Sequence, residues 1–586
     1  MIIRTYGWVQ NPSSFLHLKK VVQIFVPSST HYQNLKNSLL DLIPFTNLRQ
    51  ELRDKLDKKK TEFTYTELVG SSKDKNGKSP RSRSNAVANS LIQISIPSQK
   101  ASTTGKTWTD NWTADGYLRW AISLNFIEVN TSKDTFRITP KGMAFAKTKD
   151  DSDEERQVLK KALLAYPPAT QILTLLSQTP TQFRTKFALG EHLGFRGEKG
   201  FSSYNEELIL EWLARETDPA QKKKIRTDVE GTSDKYARGI CSWLIKVGLV
   251  EQDDFVTKVN NTTVKFPGYR ITGSGIHALK QSQGNSSNAQ LEKFIMWEFL
   301  ATNDINRNYT RTRRAYIIKA LQEKPLSLKK LLETLQTKGF QDEQQIIVND
   351  IAGLKKFGLR IQEKNKKFTL LDKVNDFAIP HLNLTQELAD EESLRRKSLF
   401  LKYTLLPPEY IELLDIAYDG KRSRDFEIMT MELFKKIYGM NTVLLGGGRK
   451  PDGICFRSTF GIIVDTKAYS EGYSKNISQE DEMVRYITDN KLRDKARNPT
   501  QWWTAFPASI ENYYFLWVSS RFIGKFAEQL TSTARETKTN GGALNVEQLL
   551  LGADMILKKE LPPDSIANHF NNKEIFFADS IIDKHQ

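Results

Sequence analysis

The chain runs to 586 residues, more than a single hydrophobic core holds, so several domains are expected. Its 86 lysines and arginines stand against 69 aspartates and glutamates, and the resulting charge of +17 favours a polyanionic partner such as nucleic acid. There is no apolar run long enough for a bilayer, no basic amphipathic anchor and no signal-peptide core, and Cys241 and Cys455 form neither a disulfide framework nor a zinc cluster; the expectation is a reduced, cytoplasmic protein with no membrane partner.

In chain order, residues 71–85 (SSKDKNGKSPRSRSN) come first as a basic loop. It is either simply solvated or an arm lying along a phosphate backbone. Three segments then repeat one pattern: residues 116–142, 237–275 and 350–372. Each starts as a helix with apolar spacing and takes a short apolar step: Phe126-Ile127, Leu249-Val250, and Leu359 to Ile361. A polar turn follows, then a second β-prone run: residues 136–139, 269–272 and 368–371. Helix followed by β-hairpin is how a winged-helix unit ends, with one helix in the major groove and the hairpin on the backbone. The same pattern also serves as a protein docking module, and the third copy reads more as a connector than as a DNA reader. Polar stretches at 147–155, 281–290 and 380–397 separate the units.

Residues 424–438 (RDFEIMTMELFKKIY) predict a helix with apolar Phe426, Met429, Leu433, Phe434 and Ile437. Its Glu427 and Glu432 are each either structural or within reach of a metal site. Residues 460–464 (FGIIV) predict a buried strand running into Asp465-Thr466-Lys467. Strand side chains alternate, so Asp465 and Lys467 share a face. A hairpin from Pro451-Asp452-Gly453 into this strand would set Asp452 beside Asp465. Paired carboxylates repel unless a cation lies between them, and Mg²⁺ takes one or two carboxylates plus phosphate oxygens and water. Lys467 would orient or deprotonate an attacking water, or stabilise the pentavalent phosphate. On the string alone a turn aspartate and a solvated strand end remain open. Residues 511–519 predict another buried strand, completing a mixed sheet flanked by helices.

Long uncommon strings then add a resemblance that covers essentially the whole chain. RTYGWVQNP (4–12), DNWTADGYLRWA (110–121), EGTSDKYAR (230–238), TRTRRA (310–315), PPEYIEL (407–413) and GGGRKPDG with GIIVDTKAYS resemble the FokI family of type IIS restriction endonucleases. The loop between the two aspartates is shorter here than in that family. The resemblance implies a multidomain α+β chain: tandem winged-helix or helix-turn-helix-like DNA-recognition subdomains, then a C-terminal α/β PD-(D/E)xK nuclease domain. The expected divisions are 1–150, 151–283, 284–380, 381–400 as linker and start of the cleavage domain, and 401–586. It implies Asp452, Asp465 and Lys467 as catalytic residues, with Mg²⁺ held by the two aspartates.

Base-reading residues carried over by motif are Gln10 and Asn11 in the arm, Arg83 (with Arg81 as alternative, the preceding loop being longer), Trp112, Glu230, Lys235 and Arg238. Arginine and amide side chains suit guanine and adenine edges, glutamate accepts from cytosine, and an aromatic contacts a thymine methyl. Each is open to a turn or phosphate role instead. Thr227 stands where the family has asparagine. Asp481 and Arg485 read by themselves as an i, i+4 surface pair; the resemblance implies a reciprocal pair across a transient two-fold homodimer. The implied activity is binding to a short asymmetric duplex site of the GGATG type. Both strands are then hydrolysed at a fixed distance outside it, leaving 5′-phosphates, and a separate methyltransferase protects the bacterial host. Two other functions compete: a DNA-binding regulator with an inactive nuclease-like domain, and a structure-specific repair or mobile-element nuclease.

Overall fold

The computed structural model describes residues 4–10, 12–98, 105–259, 261–284, 289–302, 306–381, 392–474 and 477–585; the side chains of 83, 227, 392–394 and 477–481 lie outside the described set.

Three units share one topology. The first has helix α1 (Phe15–Gln23), strand β1 (Glu62–Thr64), helix α2 (Asn111–Ser123) and a hairpin of β2 (Ile127–Asn130) and β3 (Thr135–Ile138), in sheet order β1-β3-β2. The second has β4 (Arg184–Thr185), α3 (Lys186–Gly190), α4 (Glu206–Arg215), α5 (Thr232–Lys246), β5 (Val250–Val259) and β6 (Thr262–Ile271), in order β4-β6-β5. The third has α6 (Arg307–Glu323), β7 (Leu326–Ser327), α7 (Gln344–Phe357), β8 (Ile361–Lys364) and β9 (Lys367–Leu370), in order β7-β9-β8.

The helix-plus-hairpin repeat is therefore present three times, and each copy carries a first strand too short for periodicity to reveal. That strand ends on a hydroxyl residue capping the next helix. Thr64 accepts from the Glu67 amide, Thr185 from Ala188 and Ser327 from Lys330. At the end of α7, Gly358 has φ +114°, and a Cβ there would meet the Pro167 carbonyl at 2.1 Å, so only glycine turns the chain into that hairpin. The aromatic and aliphatic core of the three units is continuous, running from Tyr6 and Trp8 to Phe368 and Phe377.

The C-terminal unit begins with α8 (Glu392–Tyr403), so a division at 400/401 would fall inside a helix. Then follow α9 (Ser423–Lys436), β10 (Asn441–Leu444), β11 (Gly453–Arg457), β12 (Phe460–Lys467) and α10 (Ile477–Leu492). The unit closes with β13 (Asn512–Ser519), α11 (Phe526–Thr537), β14 (Gly541–Asn545), α12 (Val546–Leu557) and β15 (Lys573–Glu574). The sheet order is β10-β11-β12-β13-β14-β15, antiparallel from β10 to β12 and parallel from β12 to β15. Ile462 and Val464 pack on one face with α9 and α12; Ile463, Trp517 and Met483 pack on the other with α10 and α11.

Helix α4 of the second unit lies along edge strand β10, and its Leu208 and Trp212 join the nuclease-side core. The exposed edge is thereby covered by a different unit of the same chain. No helix among the described residues is long and apolar enough to cross a membrane.

Candidate active site

The site is built at the hairpin of β11 and β12. Gly453 pairs with Val464, so Asp452, one residue ahead of β11, stands opposite Asp465. Asp452 is held by Thr466, whose amide donates to its Oδ2 at 2.7 Å and whose hydroxyl donates at 2.9 Å. Gly453 allows the strand to lie against α9, because a Cβ there would meet Met431 Cε at 2.5 Å. On β12, Lys467 Nζ lies 3.1 and 3.0 Å from the two Asp465 carboxylate oxygens. Burial pushes the Asp465 carboxyl up, against the pull of Lys467, and the Asp452 charge adds to the rise. Burial works to lower Lys467, but Asp465 and Asp452 outweigh it and hold the ammonium charged above its usual range.

Helix α9 supplies a third carboxyl. Glu427 is pushed well above the ordinary range by burial, then by the charge of Asp452, with Asp465 adding and Arg424 opposing. Arg424 Nη1 lies 2.6 Å from Glu427, and its guanidinium sits 4.7 Å from the Trp212 ring on α4. Lys450, two residues before Asp452, pairs with Glu216 just past α4 at 3.3 Å. One rim of the site therefore belongs to the second winged-helix unit. Glu432 does not reach the site, contrary to one reading of the sequence. Its carboxyl accepts from the Tyr410 hydroxyl at 3.3 Å and feels Arg196, Glu191 and Glu409. Five helical residues turn about 500°, so Glu427 and Glu432 point in different directions.

Among the described residues no group of three or more His, Cys, Asp or Glu is arranged to hold a metal unaided. Two converging carboxylates with a third nearby are nonetheless the hard-oxygen donors Mg²⁺ uses when phosphate and water complete its shell. The donor set fits that ion.

The other sequence-derived residues fall in two places. Gln10 is half-buried and lines a cleft with Trp112, Arg119 and Tyr236; Trp112, in the first turn of α2, is 51 % exposed. On the second unit, Glu230 lies 2.6 Å from Lys186 Nζ and 2.9 Å from Arg238 Nε. Burial alone would raise the Glu230 carboxyl; the Lys186 hydrogen bond and charge, then Arg238, bring it below its ordinary range. Lys235 and exposed Arg238 are one turn apart on α5. Lys186 was missed by sequence reasoning, since it is 44 residues from its partner with no local signal.

Arg83 occupies a short 3₁₀ turn and Arg81 is exposed; the Arg83 side chain lies outside the described residues. Asn11 and the side chains of Thr227 and Asp481 also lie outside them, while Arg485 is half-buried on α10.

Together these features define a protein with tandem winged-helix DNA-recognition subdomains and a C-terminal α/β PD-(D/E)xK nuclease domain. Models of the FokI recognition domain match residues 4–148 (subdomain 1) and 155–287 (subdomain 2). The FokI D3 domain matches 300–366 and the FokI cleavage domain 389–576. The type II restriction enzyme FokI of Planomicrobium okeanokoites is 40 % identical over 98 % of this chain and 99 % of its own length. The type II restriction enzyme StsI of Streptococcus sanguinis is 32 % identical over 94 % of this chain and 92 % of its own. The structure of restriction endonuclease FokI bound to DNA superposes with a TM-score of 0.87 at 40 % identity, covering 98 % of this chain and all of that one. A second structure of restriction endonuclease FokI superposes with a TM-score of 0.86 at 39 % identity, covering 98 % of this chain and all of that one. The chain belongs to the FokI family of type II restriction endonucleases.

Proposed function

We propose that this protein is a type IIS restriction endonuclease: it binds a short asymmetric duplex site and hydrolyses both strands at a fixed distance outside it, leaving 5′-phosphates. The observation that carries this reading is the hairpin that sets Asp452 opposite Asp465, with Lys467 beside them, on a domain joined to three winged-helix units. Gln10, Asn11, Arg83, Trp112, Glu230, Lys235 and Arg238 read the site, and the catalytic unit reads no bases.

Asp452 and Asp465 are the residues that would hold Mg²⁺, which supplies positive charge at the scissile phosphate and lowers the pKa of an attacking water. Thr466 fixes the Asp452 carboxylate through two hydrogen bonds to Oδ2, and neither engages Oδ1. Lys467, held charged, offers its ammonium to the negative charge that grows on the phosphoryl oxygens. Glu427, paired with Arg424, stands as the third carboxyl beside the two aspartates.

In the structure α4 borders the site through Trp212 and Glu216, so the cleavage unit is docked on the recognition part. A docked monomer offers one active site for two strands. Transient pairing of two cleavage units through Asp481 and Arg485 brings the second. The enzyme works in the bacterial cytoplasm, beside a separate methyltransferase that protects host DNA; both cysteines are buried and free.

The direct test is Asp452→Ala and Asp465→Ala, assayed on plasmid DNA in Mg²⁺. Both are expected to bind the site and leave it uncut. Cutting by either variant removes the assignment.

A further inference from the structure

We infer that Trp243 and Tyr236, on helix α5 of the second recognition unit, are positioning residues for the base-reading arm of the first. The inference rests on the endonuclease reading above and adds a coupling between its two sets of base readers.

The described residues of the arm, 8–10 and 12–13, form no helix or strand and lie between α2 and α5. From the α2 side, Arg119 Nη2 donates to the Trp8 carbonyl at 2.7 Å. From the α5 side, the Trp243 indole N–H donates to the Pro12 carbonyl at 2.7 Å, 231 residues away in sequence. Lys246, also on α5, donates to the Ser13 carbonyl. The Tyr236 ring lies 5.2 Å from Trp8, and Tyr236 and Gln10 line the same cleft.

The arm lies in contact with both helices: a Cβ at Gly239 of α5 would lie 3.4 Å from the Gln10 carbonyl, and one at Gly116 of α2 would lie 3.4 Å from the Pro12 ring, both at ordinary van der Waals distance. Trp243 then stacks on Trp120 of α2 at 4.8 Å and 24°, closing the sandwich.

Residues 236 and 243 are seven apart, two helical turns, and so share a face of α5; Lys235 and Arg238 occupy the adjoining face. One helix therefore carries Lys235 and Arg238 on one face and sets where Gln10 stands with the adjoining one. An irregular arm loses backbone entropy when it orders on DNA, and these contacts order it beforehand. Bidentate base reading tolerates little displacement, so loosening the arm erodes discrimination at the base pairs it reads and at no others.

The test uses full-length protein without divalent metal and a randomised duplex library, comparing wild type with Trp243→Phe and Tyr236→Phe. Tyr236→Phe keeps its ring and loses only the hydroxyl; Trp243→Phe keeps an aromatic ring beside Trp120 and loses the indole N–H with the second ring. Gln10→Ala and Lys235→Ala mark which base pairs each unit reads. The expected result is a loss of roughly three- to tenfold in preference at the base pairs that Gln10→Ala relaxes, the worth of one hydrogen bond. Preference at the Lys235 positions and affinity for unrelated duplex stay within about twofold of wild type. Faster hydrogen exchange of the arm amides in free Trp243→Phe is the second expected readout, and it does not depend on DNA.

Relaxation spread evenly over the site, or a profile and exchange pattern identical to wild type, overturns the positioning role. A wild type that selects no sequence instead brings down the endonuclease reading itself. The two failures are therefore told apart by the wild-type profile.

Discussion

Replacing Glu432 by glutamine tests whether this carboxyl of α9 serves the fold, as its place beside Tyr410 and away from the aspartates implies. Glu432 is 6 % exposed, and burial raises its carboxyl from 4.5 to about 7, with Arg196 opposing and Glu191 and Glu409 adding. The folded protein thus holds this proton more tightly than the unfolded chain does. Its stability falls as pH climbs from about 4.5, and the full cost, roughly 3 kcal/mol at about 1.4 kcal/mol per pH unit, is present above about pH 7.

Glutamine stays neutral throughout and can still accept from the Tyr410 hydroxyl. The variant should therefore gain roughly 1 kcal/mol near pH 5.5 and roughly 3 kcal/mol near pH 8.5. At about 2–4 °C per kcal/mol, the melting temperature of the cleavage unit rises by some 4–8 °C more at the higher pH than at the lower. Calorimetry of the full-length protein at the two pH values reads this directly, and plasmid cutting in a Mg²⁺ titration is run alongside. Equal gains at both pH values would mean that the folded carboxyl is ionised, against the burial argument. A raised Mg²⁺ requirement would place Glu432 at the metal after all.

Three further outcomes are expected. Glu427→Gln should raise the Mg²⁺ concentration needed for half-maximal cutting by roughly 10-fold or more, the usual effect of removing a supporting carboxylate; an unchanged titration would leave Glu427 as the partner of Arg424 only. Trp112→Ala, at a half-exposed ring, should change stability by no more than about 0.5 kcal/mol. It should weaken specific binding by about 1–3 kcal/mol, and gel-shift titrations giving equal affinity for the site would remove Trp112 from the readers. Asp481→Ala and Arg485→Ala should leave site binding intact and depress double-strand cutting, with nicked circles accumulating; undiminished linearisation speaks against pairing through α10.

Much of this protein was legible in the sequence because the relevant forces act locally. Apolar residues at helical spacing followed by two β-prone runs exposed the three winged-helix units, as each helix and hairpin forms from neighbouring residues. The same holds for Asp452, Asp465 and Lys467. Strand alternation puts the last two on one face, and the hairpin joining β11 to β12 is too short to place Asp452 anywhere but beside them. The first strands of the three units escaped, since two or three residues show no period.

Contacts between parts far apart in the chain had to come from the folded molecule. The helix around residues 424–438 offered two glutamates on equal terms, and only the packing of α9 on the sheet turned Glu427 toward the aspartates and Glu432 toward Tyr410. Helix α4 carries no local sign that it will cover strand β10, more than 200 residues later, and border the site with Trp212. Nor does the arm at residues 8–13 announce that its carbonyl acceptor at Pro12 belongs to Trp243. Local periodicity sets what each segment becomes, whereas the choice of long-range partner depends on which buried surfaces and polar groups match once every element is in place.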